Sequence, residues 1–241
     1  MIPDQGIRKL SVVVPCFNEE GNVRRFEKEL FEEYRRLPFP CEFVLVDDGS
    51  SDLTASLLKS LAEKNPSVVF RAHSKNLGMG AALRTGIAVA AGDAILTIDA
   101  DLTFHPSNID LLLAAYNPGV DCVTGSALLG RLEGVSAGRA FLSKGVNILY
   151  GMLLGGITST SSVFRLYRAS TLKVLELDRT DFDINAEILL KLLKRKGRVV
   201  EVPVTLTQRS WGQSKIRISR EIRNHIRMLG RVSLWRAGLG R

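Results

Sequence analysis

Three apolar runs in the first half of the chain are each followed closely by acidic side chains. Residues 10–14 lead to Glu19 and Glu20, residues 43–46 to Asp47 and Asp48, and residues 94–98 to Asp99 and Asp101. Strands buried on both faces of a parallel sheet form such continuous apolar runs, and open α/β sheets bind ligands outside the carboxyl ends of their strands. We therefore expect the three acidic strand ends to converge on one crevice.

Asp99 and Asp101 form the pair whose chemistry is most specific. They stand two positions apart, so both carboxylates face the same side if the strand continues through them. Carboxylate oxygens suit Mg²⁺ or Mn²⁺, and either cation also bridges the phosphates of a nucleotide. A short Asp-x-Asp pair is also typical of a solvated turn, but its place directly after a buried run favours a metal site.

Two other polar features permit more than one interpretation. Asn18 and Asp52 precede predicted helices, where each is a plausible N-cap. Residues 76–82, with glycines at positions 78 and 80, open another predicted helix. They could bring the backbone close to a phosphate, or they could allow close packing of the helix on the sheet. Since the segment lacks the Gly-Lys-Ser/Thr of a Walker loop, both interpretations stay open.

Strand and helix patterns alternate along the chain. The predicted strands are residues 10–14, 43–46, 68–71, 94–98, 120–124, 164–167 and 199–207, and the predicted helices are residues 22–36, 52–64, 79–91, 106–116, 136–154, 185–196 and 215–235. Such alternation favours an α/β fold with a doubly wound, mostly parallel sheet. With no repeat and no linker-like tract, we expect one compact domain that ends in a basic amphipathic helix.

Charge and apolar content argue against several classes of protein. Residues 215–241 carry eight Lys/Arg and one Glu, and so account for nearly all of the net charge of +8. This confinement, without an aromatic-basic platform, disfavours a nucleic-acid-binding protein. No apolar run reaches the roughly 18 residues that span a bilayer. Cys16, Cys41 and Cys122 lack metal-ligand spacing, and we expect reduced thiols of a cytoplasmic protein.

Four motifs in order resemble the inverting family 2 glycosyltransferases, which have a GT-A fold. They are Val-Pro-x-Phe-Asn-Glu at residues 14–19, Val-Asp-Asp-Gly-Ser-x-Asp at 46–52, Asn-x-Gly-x-Gly at 76–80 and Asp-Ala-Asp-Leu at 99–102. Further on, residues 161–168, 202–204 and 209–215 are similar to segments of the dolichyl/polyprenyl-phosphate mannosyltransferase group and its glucose-transferring relatives. The resemblance implies one catalytic domain over residues 1–214, with a Rossmann-like nucleotide-sugar half at about 1–103 and an acceptor half at about 104–214.

The resemblance also implies roles for individual residues. The nucleotide would be held by Pro15, Phe17, Glu19, Val46 and Asp48, the metal and diphosphate by Asp99, Ala100 and Asp101, the phosphates by Arg209 and Lys215, and the lipid phosphate by Arg139 and Ser143. The catalytic set would be Asp99, Asp101 and Arg209. Three positions depart from the family pattern: Met79 replaces a Lys, Thr103 replaces a Gln, and Ala127 replaces an Arg for which Arg131 is a candidate substitute.

The implied reaction is transfer of a sugar, with inversion at its anomeric carbon, onto a polyprenyl or dolichyl phosphate. Mannose from GDP-mannose is the first choice of donor, with Mg²⁺ or Mn²⁺ as cofactor. UDP-glucose-dependent transfer to the same lipid is one alternative. A glycan hydroxyl acceptor is another, and because a hydroxyl must lose its proton, it would need a base such as Asp181 or Asp183. A nucleotidyltransferase is disfavoured because no basic, glycine-rich loop follows the first strand.

The basic helix predicted at residues 215–241 is typical of a segment that lies on an anionic membrane surface. A solvated face, or the end of a segment that precedes an anchor, would account for the same charges. We expect peripheral contact with the cytoplasmic face of a membrane, and a membrane-anchoring subunit is a further candidate partner.

Overall fold

A computed structural model describes residues 6–132, 156–207 and Gly230 of the chain. Seven strands form one sheet: β1 Leu10–Cys16, β2 Cys41–Asp47, β3 Val68–Ala72, β4 Ala94–Thr97, β5 Cys122–Leu132, β6 Arg165–Arg168 and β7 Val199–Leu206. Their order across the sheet is β3-β2-β1-β4-β6-β5-β7. Only β6 runs against its neighbours, so the expected mostly parallel sheet is confirmed.

The central strands are apolar because helices cover both faces of the sheet. In β1, Val12 and Val14 belong to one buried cluster and Val13 to the other, and all three are fully buried. Strand β7 lies at an edge, where the exposed Pro203 leaves no ladder hydrogen bond unmade. The core therefore lies in two layers, one on each face of the sheet.

The helical segments in the described residues overlap the predicted helices, apart from a short helix at residues 169–172 that the sequence did not predict. They are α1 Glu20–Val23, a π-helical segment Phe26–Phe31, α2 Glu32–Arg35, α3 Thr54–Lys64, α4 Met79–Val89, a 3₁₀ segment Pro106–Asn108, α5 Ile109–Ala115, α6 Ala169–Leu172 and α7 Ile184–Lys194. The single amphipathic helix predicted over residues 22–36 is divided. Its π-helical segment brings Phe26 and Phe31 to the same buried face, with ring centroids 6.4 Å apart.

The three cysteines are free thiols, as expected. Burial raises the pKa of Cys41 and of Cys122 to about 12, so both stay protonated at neutral pH. Within the described ranges, no helix combines the length and apolar character needed to cross a bilayer.

Candidate active site

The carboxyl ends of β1 and β2 are joined to each other by hydrogen bonds. The N–H of Glu19 donates to Thr54 Oγ1 at 2.7 Å, and Asn18 Oδ1 accepts from the N–H of Ser51 at 2.8 Å. Asn18 has a left-handed backbone, φ 53°, and its side chain binds the neighbouring loop, so the N-cap prediction for it is wrong. Asp52 Oδ1 accepts from the N–H of Thr54, the first residue of α3, but the N-cap position is Leu53, one residue later than predicted.

Asp48 lies at the centre of this edge, and its carboxylate binds the loop that follows β3. Its Oδ1 accepts from the N–H of Leu77 at 3.0 Å and contacts Nδ1 of His73 at 2.7 Å. Its Oδ2 accepts from the N–H of Gly78 at 2.8 Å and from the side-chain amide of Asn76 at 3.0 Å. Since Asp48 is 2% exposed and both oxygens have two partners, its evident role is to hold this loop in place.

The glycine-rich start of α4 packs against another loop and does not form an open phosphate cradle. The N–H groups of Gly80 and Ala81 donate to the carbonyl oxygen of Thr180, at 2.6 and 3.3 Å. Gly78 has φ 96°, and a Cβ there would lie 2.4 Å from that same oxygen. Close packing is therefore the correct interpretation, and Gly86 extends it to the sheet, where a Cβ would meet Val13.

Asp99 and Asp101 lie on a turn that follows β4. The strand ends at Thr97, and the N–H of Leu102 donates to the carbonyl oxygen of Asp99 at 3.1 Å. The expectation that extended geometry continues through the pair is wrong, because Leu102 adopts a left-handed conformation with φ 52° that closes the turn. Asp101 is 6% exposed, and its Oδ1 accepts from the N–H of Thr103 at 3.0 Å.

This turn has the donor chemistry of a Mg²⁺ or Mn²⁺ site. It supplies carboxylate oxygens at a strand end, one of them already oriented by a backbone N–H. Among the described residues no cluster of three or more potential ligands occurs, so a cation at Asp99 and Asp101 would need further oxygens from outside these residues. A diphosphate and water supply such oxygens, and Mg²⁺ sites commonly use one or two carboxylates with substrate phosphates. The residues present therefore fit such a metal.

The other residues implied for the nucleotide differ in accessibility. Pro15, Phe17 and Glu19 are half-buried at the end of β1 and just beyond it, and Glu19 Oε2 accepts from the side-chain amide of Asn22 at 2.6 Å. Val46, in contrast, is fully buried beneath α4. Its side chain stabilises the sheet and does not reach the surface of the crevice.

Two further predicted residues, Thr103 and Arg131, lie near the end of β7. The carbonyl oxygen of Thr103 accepts from the N–H of Thr207 at 2.9 Å and from its Oγ1 at 3.1 Å. Arg131 is exposed near the end of β5, paired with Thr205 of β7. Ala100 is buried in the core cluster and supports the turn from below. The remaining predicted site residues, Arg139, Ser143, Arg209 and Lys215, lie outside the described residues, as does the basic helix.

Comparison with known proteins assigns the chain to a family. Residues 11–175 match the family described as Glycosyl transferase family 2. The chain belongs to glycosyltransferase family 2. This confirms the resemblance of the four ordered motifs.

Curated relatives of this family 2 chain match it along most of its length. The dolichol-phosphate mannosyltransferase of Pyrococcus furiosus is 31% identical over 239 residues, which is 97% of this chain and 66% of that protein. The undecaprenyl-phosphate 4-deoxy-4-formamido-L-arabinose transferase of Salmonella choleraesuis is 31% identical over 220 residues, 90% of this chain and 65% of that protein. The chain thus spans slightly less than two thirds of the length of each relative.

Solved structures confirm the GT-A fold. The glucosyl-3-phosphoglycerate synthase of Mycobacterium tuberculosis, in complex with Mn²⁺, UDP and glucosyl-3-phosphoglycerate, superposes with a TM-score of 0.69 at 20% identity, covering 97% of this chain and 81% of that one. The same protein with Mg²⁺ and UDP gives a TM-score of 0.68 at 21% identity, with the same coverage. At this identity the likeness establishes the fold.

In this family 2 chain, the two candidate bases for a hydroxyl acceptor lie in the loop before α7. Burial raises the pKa of Asp183, and the nearby negative charges of Asp181 and Glu187 add to this rise, while Arg179 opposes it. The same loop supplies the Thr180 carbonyl that binds α4. Asp183 is therefore easier to protonate than an ordinary carboxylate, but it also lies in a segment with a clear packing role.

Two residues with evident roles at this edge were not identified from the sequence. His73 bridges Asp48 and Thr85 Oγ1, the latter at 2.9 Å, and so ties the β3–α4 loop to α4. Its position directly after a strand was the available signal. Arg165 is fully buried in β6. It lies within residues 161–168, which resemble a segment of related enzymes, but that resemblance gives no sign that the arginine is buried.

Proposed function

We propose that this family 2 glycosyltransferase transfers a sugar from a nucleotide-sugar onto a polyprenyl or dolichyl phosphate with inversion. The observation that carries the proposal is the match, over 97% and 90% of the chain, to two relatives whose names pair different sugars with the same kind of lipid phosphate. Because the lipid phosphate is what they share, the acceptor class has stronger support than the sugar. Mannose from GDP-mannose is the first candidate donor.

The acidic edge of the sheet is the donor site in this proposal. Asp99 and Asp101 hold Mg²⁺ or Mn²⁺ with the diphosphate, and that cation would neutralise negative charge as the nucleoside diphosphate leaves. Pro15, Phe17 and Glu19 border the nucleotide. Asp48 acts indirectly by holding the β3–α4 loop, since four protein groups already contact its carboxylate.

The acceptor side relies on residues whose roles are proposed from the family resemblance. Arg209 and Lys215 would close over the donor phosphates, and Arg139 with Ser143 would bind the lipid phosphate. The hydrogen bonds between Thr207 and Thr103 support this arrangement. Thr207 is two residues before Arg209 and Thr103 is two residues after Asp101, so these bonds hold the chain leading to Arg209 close to the turn that carries Asp101. Thr103 itself and Arg131 border the donor crevice from the acceptor side.

A lipid-phosphate acceptor requires no protein base. The second pKa of a phosphate monoester is near ~6, so the attacking oxygen is already largely ionised at neutral pH. A hydroxyl acceptor would need its proton removed, and Asp183 or Asp181 is then the candidate base. UDP-glucose as donor to the same lipid remains the nearer alternative, since the solved structures of the same fold contain UDP or UDP-glucose.

The proposed location is peripheral, on the cytoplasmic face of a membrane, where lipid-phosphate acceptors are reached from the water phase. The eight Lys/Arg of residues 215–241 support contact with anionic lipid. A membrane-anchoring partner subunit is compatible with this arrangement.

The direct test is to incubate the chain with Mn²⁺, a polyprenyl phosphate and, one at a time, radiolabelled GDP-mannose, UDP-glucose and other GDP- and UDP-sugars. We expect label in the lipid extract with one donor, dependent on the cation. A matched reaction with a free polyprenol tests whether the phosphate is required. Label transferred to a glycan hydroxyl and never to the lipid phosphate would overturn the proposal.

A further inference from the structure

Arg165 is a fully buried cation beside the strand that ends in the Asp99–Asp101 turn. It is the first residue of β6, which runs antiparallel to β4, and it pairs with Thr97, the last residue of β4. Paired residues of antiparallel strands have Cα atoms about 4.5–5.5 Å apart. Since Asp99 is two residues beyond Thr97, its Cα is at most about 13 Å from that of Arg165, whatever path the turn takes.

The guanidinium itself lies at the edge of the sheet formed by the carboxyl ends of the parallel strands. One terminal nitrogen donates to the carbonyl oxygen of Asn185, in the first turn of α7, at 2.6 Å. The loop before α7 packs on the first residues of α4, which begins at this edge. The other terminal nitrogen donates to the carbonyl oxygens of Ser159 and Thr160, both at 2.8 Å, in the loop that enters β6 at the same edge. The positive charge and the acidic turn therefore lie at one edge of the sheet.

Within residues 6–132 and 156–207, this guanidinium has no carboxylate bound to it. Its remaining contacts are Thr124 Oγ1, 3.1 Å from Nε, and Tyr167 Oη, 3.4 Å from a terminal nitrogen. Glu201 binds the same loop, but it does so through the N–H groups of Thr158 and Ser159. Burying a cation without a paired anion is unfavourable for folding. Negative charge that arrives with a ligand would offset this cost.

Arg168, at the other end of β6, is a useful contrast. It pairs with Ala94, the first residue of β4, and so lies at the opposite edge of the sheet. Like Arg165 it donates to three backbone carbonyls, here those of Asn117, Pro118 and Val120. Its Nε also lies 3.7 Å from Asp121 Oδ1. In the described part of the chain, Arg168 thus has a carboxylate partner and Arg165 does not.

The ligands proposed for the Asp99–Asp101 turn bring negative charge close to Arg165. Two carboxylates and a diphosphate carry more negative charge than one divalent cation neutralises. The diphosphate gains further negative charge as it leaves the sugar. A fixed, buried positive charge acts on such a centre with little screening by water and without having to move. The same charge repels a divalent cation that binds without the diphosphate.

We propose that Arg165 is the counter-charge of the donor site: its field favours the nucleoside diphosphate and opposes a divalent cation bound alone, so that the two ligands bind together. The inference rests on the proposed function, because it takes the metal and the diphosphate to lie at Asp99 and Asp101. It goes further in giving a role in ligand binding to a residue that touches neither ligand. Opposite effects on an anion and a cation are expected of a charge and not of a residue that only supports the fold.

The test compares three variants of the full chain with the wild type, and Arg168→Met is the matched control. Arg165→Met removes the charge, whereas Arg165→Lys keeps the charge but loses the planar fork that binds several oxygens at once. Asn185→Asp leaves the guanidinium in place and adds a carboxylate close to it, in a side chain of nearly the same shape that is 1% exposed.

Two dissociation constants are measured for each variant. The first is that of Mn²⁺ for the chain alone, by electron paramagnetic resonance. The second is that of GDP, and then of UDP, at saturating Mn²⁺, by isothermal titration calorimetry. Thermal unfolding shows whether each variant is folded.

In Arg165→Met and Asn185→Asp, we expect the nucleoside diphosphate to bind about threefold to twentyfold more weakly and Mn²⁺ alone to bind at least about threefold more tightly. Arg165→Lys should keep both constants within about threefold of wild type, because the surrounding oxygens also accept from an ammonium group. Arg168→Met should change neither constant, since its charge lies at the opposite edge beside Asp121. Asn185→Asp decides the outcome if the Arg165 variants do not fold.

Mn²⁺ that binds Arg165→Met or Asn185→Asp no more tightly than the wild type would overturn the inference. Weaker binding of both ligands would also overturn it, because that result indicates a damaged site, and so would loss of diphosphate affinity in Arg165→Lys. If the wild-type chain shows the expected binding but transfers no sugar to a lipid phosphate, the proposed acceptor is wrong and the inference stands. If Asp101→Asn binds both ligands as tightly as the wild type, the proposed donor site is wrong, and the inference fails with it.

Discussion

The side chain of Asp101 and the backbone around it form one unit at the residue scale. Asp101 Oδ1 accepts from the N–H of Thr103, while the turn from Asp99 to Leu102 closes through a left-handed leucine. The carboxylate is oriented before any ligand arrives, and in a nearly buried position its charge is screened little by water. Removing the charge while keeping the shape is therefore the informative change.

Asp101→Asn should abolish most transfer without disturbing the fold. The amide oxygen of Asn can still accept from Thr103, but the charge that attracts Mg²⁺ or Mn²⁺ is lost, so we expect kcat/KM to fall at least about a hundredfold. The measurement is initial rate against cation concentration, with circular dichroism to check folding. Asp110→Asn, on the partly exposed face of α5, is the control and should keep wild-type rates. Retained cation-dependent activity in Asp101→Asn would disprove the metal assignment.

Asp183→Asn distinguishes the two classes of acceptor. Burial and neighbouring negative charge raise the pKa of Asp183, as a base for a hydroxyl would require. If the acceptor is a lipid phosphate, no base is needed. Because Asn retains the shape of the Asp side chain, we then expect the rate of transfer to stay within about threefold of wild type. Loss of a working base would instead lower the rate by about 10²–10⁴-fold. The assay is transfer to polyprenyl phosphate across pH 5–8. A loss of a hundredfold or more, for this variant or for Asp181→Asn, would point to a hydroxyl acceptor.

At the scale of elements, the contact between α4 and the loop before α7 joins the first half of the chain to the second. The backbone at the start of α4 meets the backbone of residues 179–181 with no side chain between them, because Gly78 and Gly80 carry no Cβ. The first N–H groups of α4 would otherwise need water or a ligand as acceptor. Here the carbonyl of Thr180 satisfies them.

Gly80→Ala should disrupt this contact. The new Cβ would lie 2.6 Å from the carbonyl oxygen of Arg179, which must shift, so we expect a loss of about 1–3 kcal/mol in the free energy of unfolding. Urea denaturation followed by circular dichroism measures it. The control is Gly119→Ala, where the nearest atom is the side-chain oxygen of Asn117 at 3.3 Å. Equal stability of the two variants would contradict a tight backbone contact at α4.

The elements that could be predicted from the sequence are those whose burial is continuous. Strands β1, β2 and β4 could be predicted from their apolar runs. The position of the acidic residues at the strand ends could be predicted because each strand is followed by a connection to the next helix. The direction of β6 could not be predicted, because a four-residue buried strand is equally apolar in either direction. The turn at Leu102 could not be predicted either, since no glycine marks its left-handed residue. The burial of Arg165 depends on oxygens from Thr124 on β5, from Asn185 in α7 and from Ser159, which only the fold brings together.

At the scale of the whole molecule, a second buried charge stabilises the edge of the sheet opposite the candidate site. Burial alone would raise the pKa of Glu42, but hydrogen bonds from Lys9, Ser11 and the N–H of Ala91 outweigh it and hold the pKa below its ordinary value. A lowered carboxylate pKa means that the folded state binds fewer protons than the unfolded state. The stabilisation is therefore present above the unfolded pKa, about 4.3, and is lost as pH falls through the lower folded value.

Glu42→Gln should lower the free energy of unfolding by about 1–3 kcal/mol at pH 7, because Ser11, Lys9 and Ala91 lose a charged acceptor. The difference from wild type should shrink as the pH falls below about 4 and Glu42 itself becomes protonated. Urea denaturation at several pH values measures both effects. The exposed change Glu63→Gln is the control and should not reproduce this behaviour. A constant Glu42→Gln difference down to pH 3 would contradict the assignment.

Removal of residues 220–241 tests the proposed membrane contact. The deleted segment carries six arginines and one Glu, and each basic residue near an anionic surface contributes about 1 kcal/mol. We expect weaker co-sedimentation with liposomes that contain anionic lipid, and no change with neutral liposomes. High salt should reduce binding of the full chain in the same way. Unchanged partitioning of the shortened chain would exclude this segment as an anchor.

The contact of α4 with the Thr180 carbonyl also limits how parts of this chain can be exchanged with those of a relative. A hybrid enzyme made by joining the first hundred residues of one relative to the remainder of another keeps a continuous sheet, because β6 and β4 pair through their backbones. It does not automatically keep the fit at residues 179–181, where Gly78 and Gly80 leave no tolerance for a different backbone path. Recombination near residue 100 must therefore transfer residues 179–181 together with the first hundred residues, although they are encoded far from them.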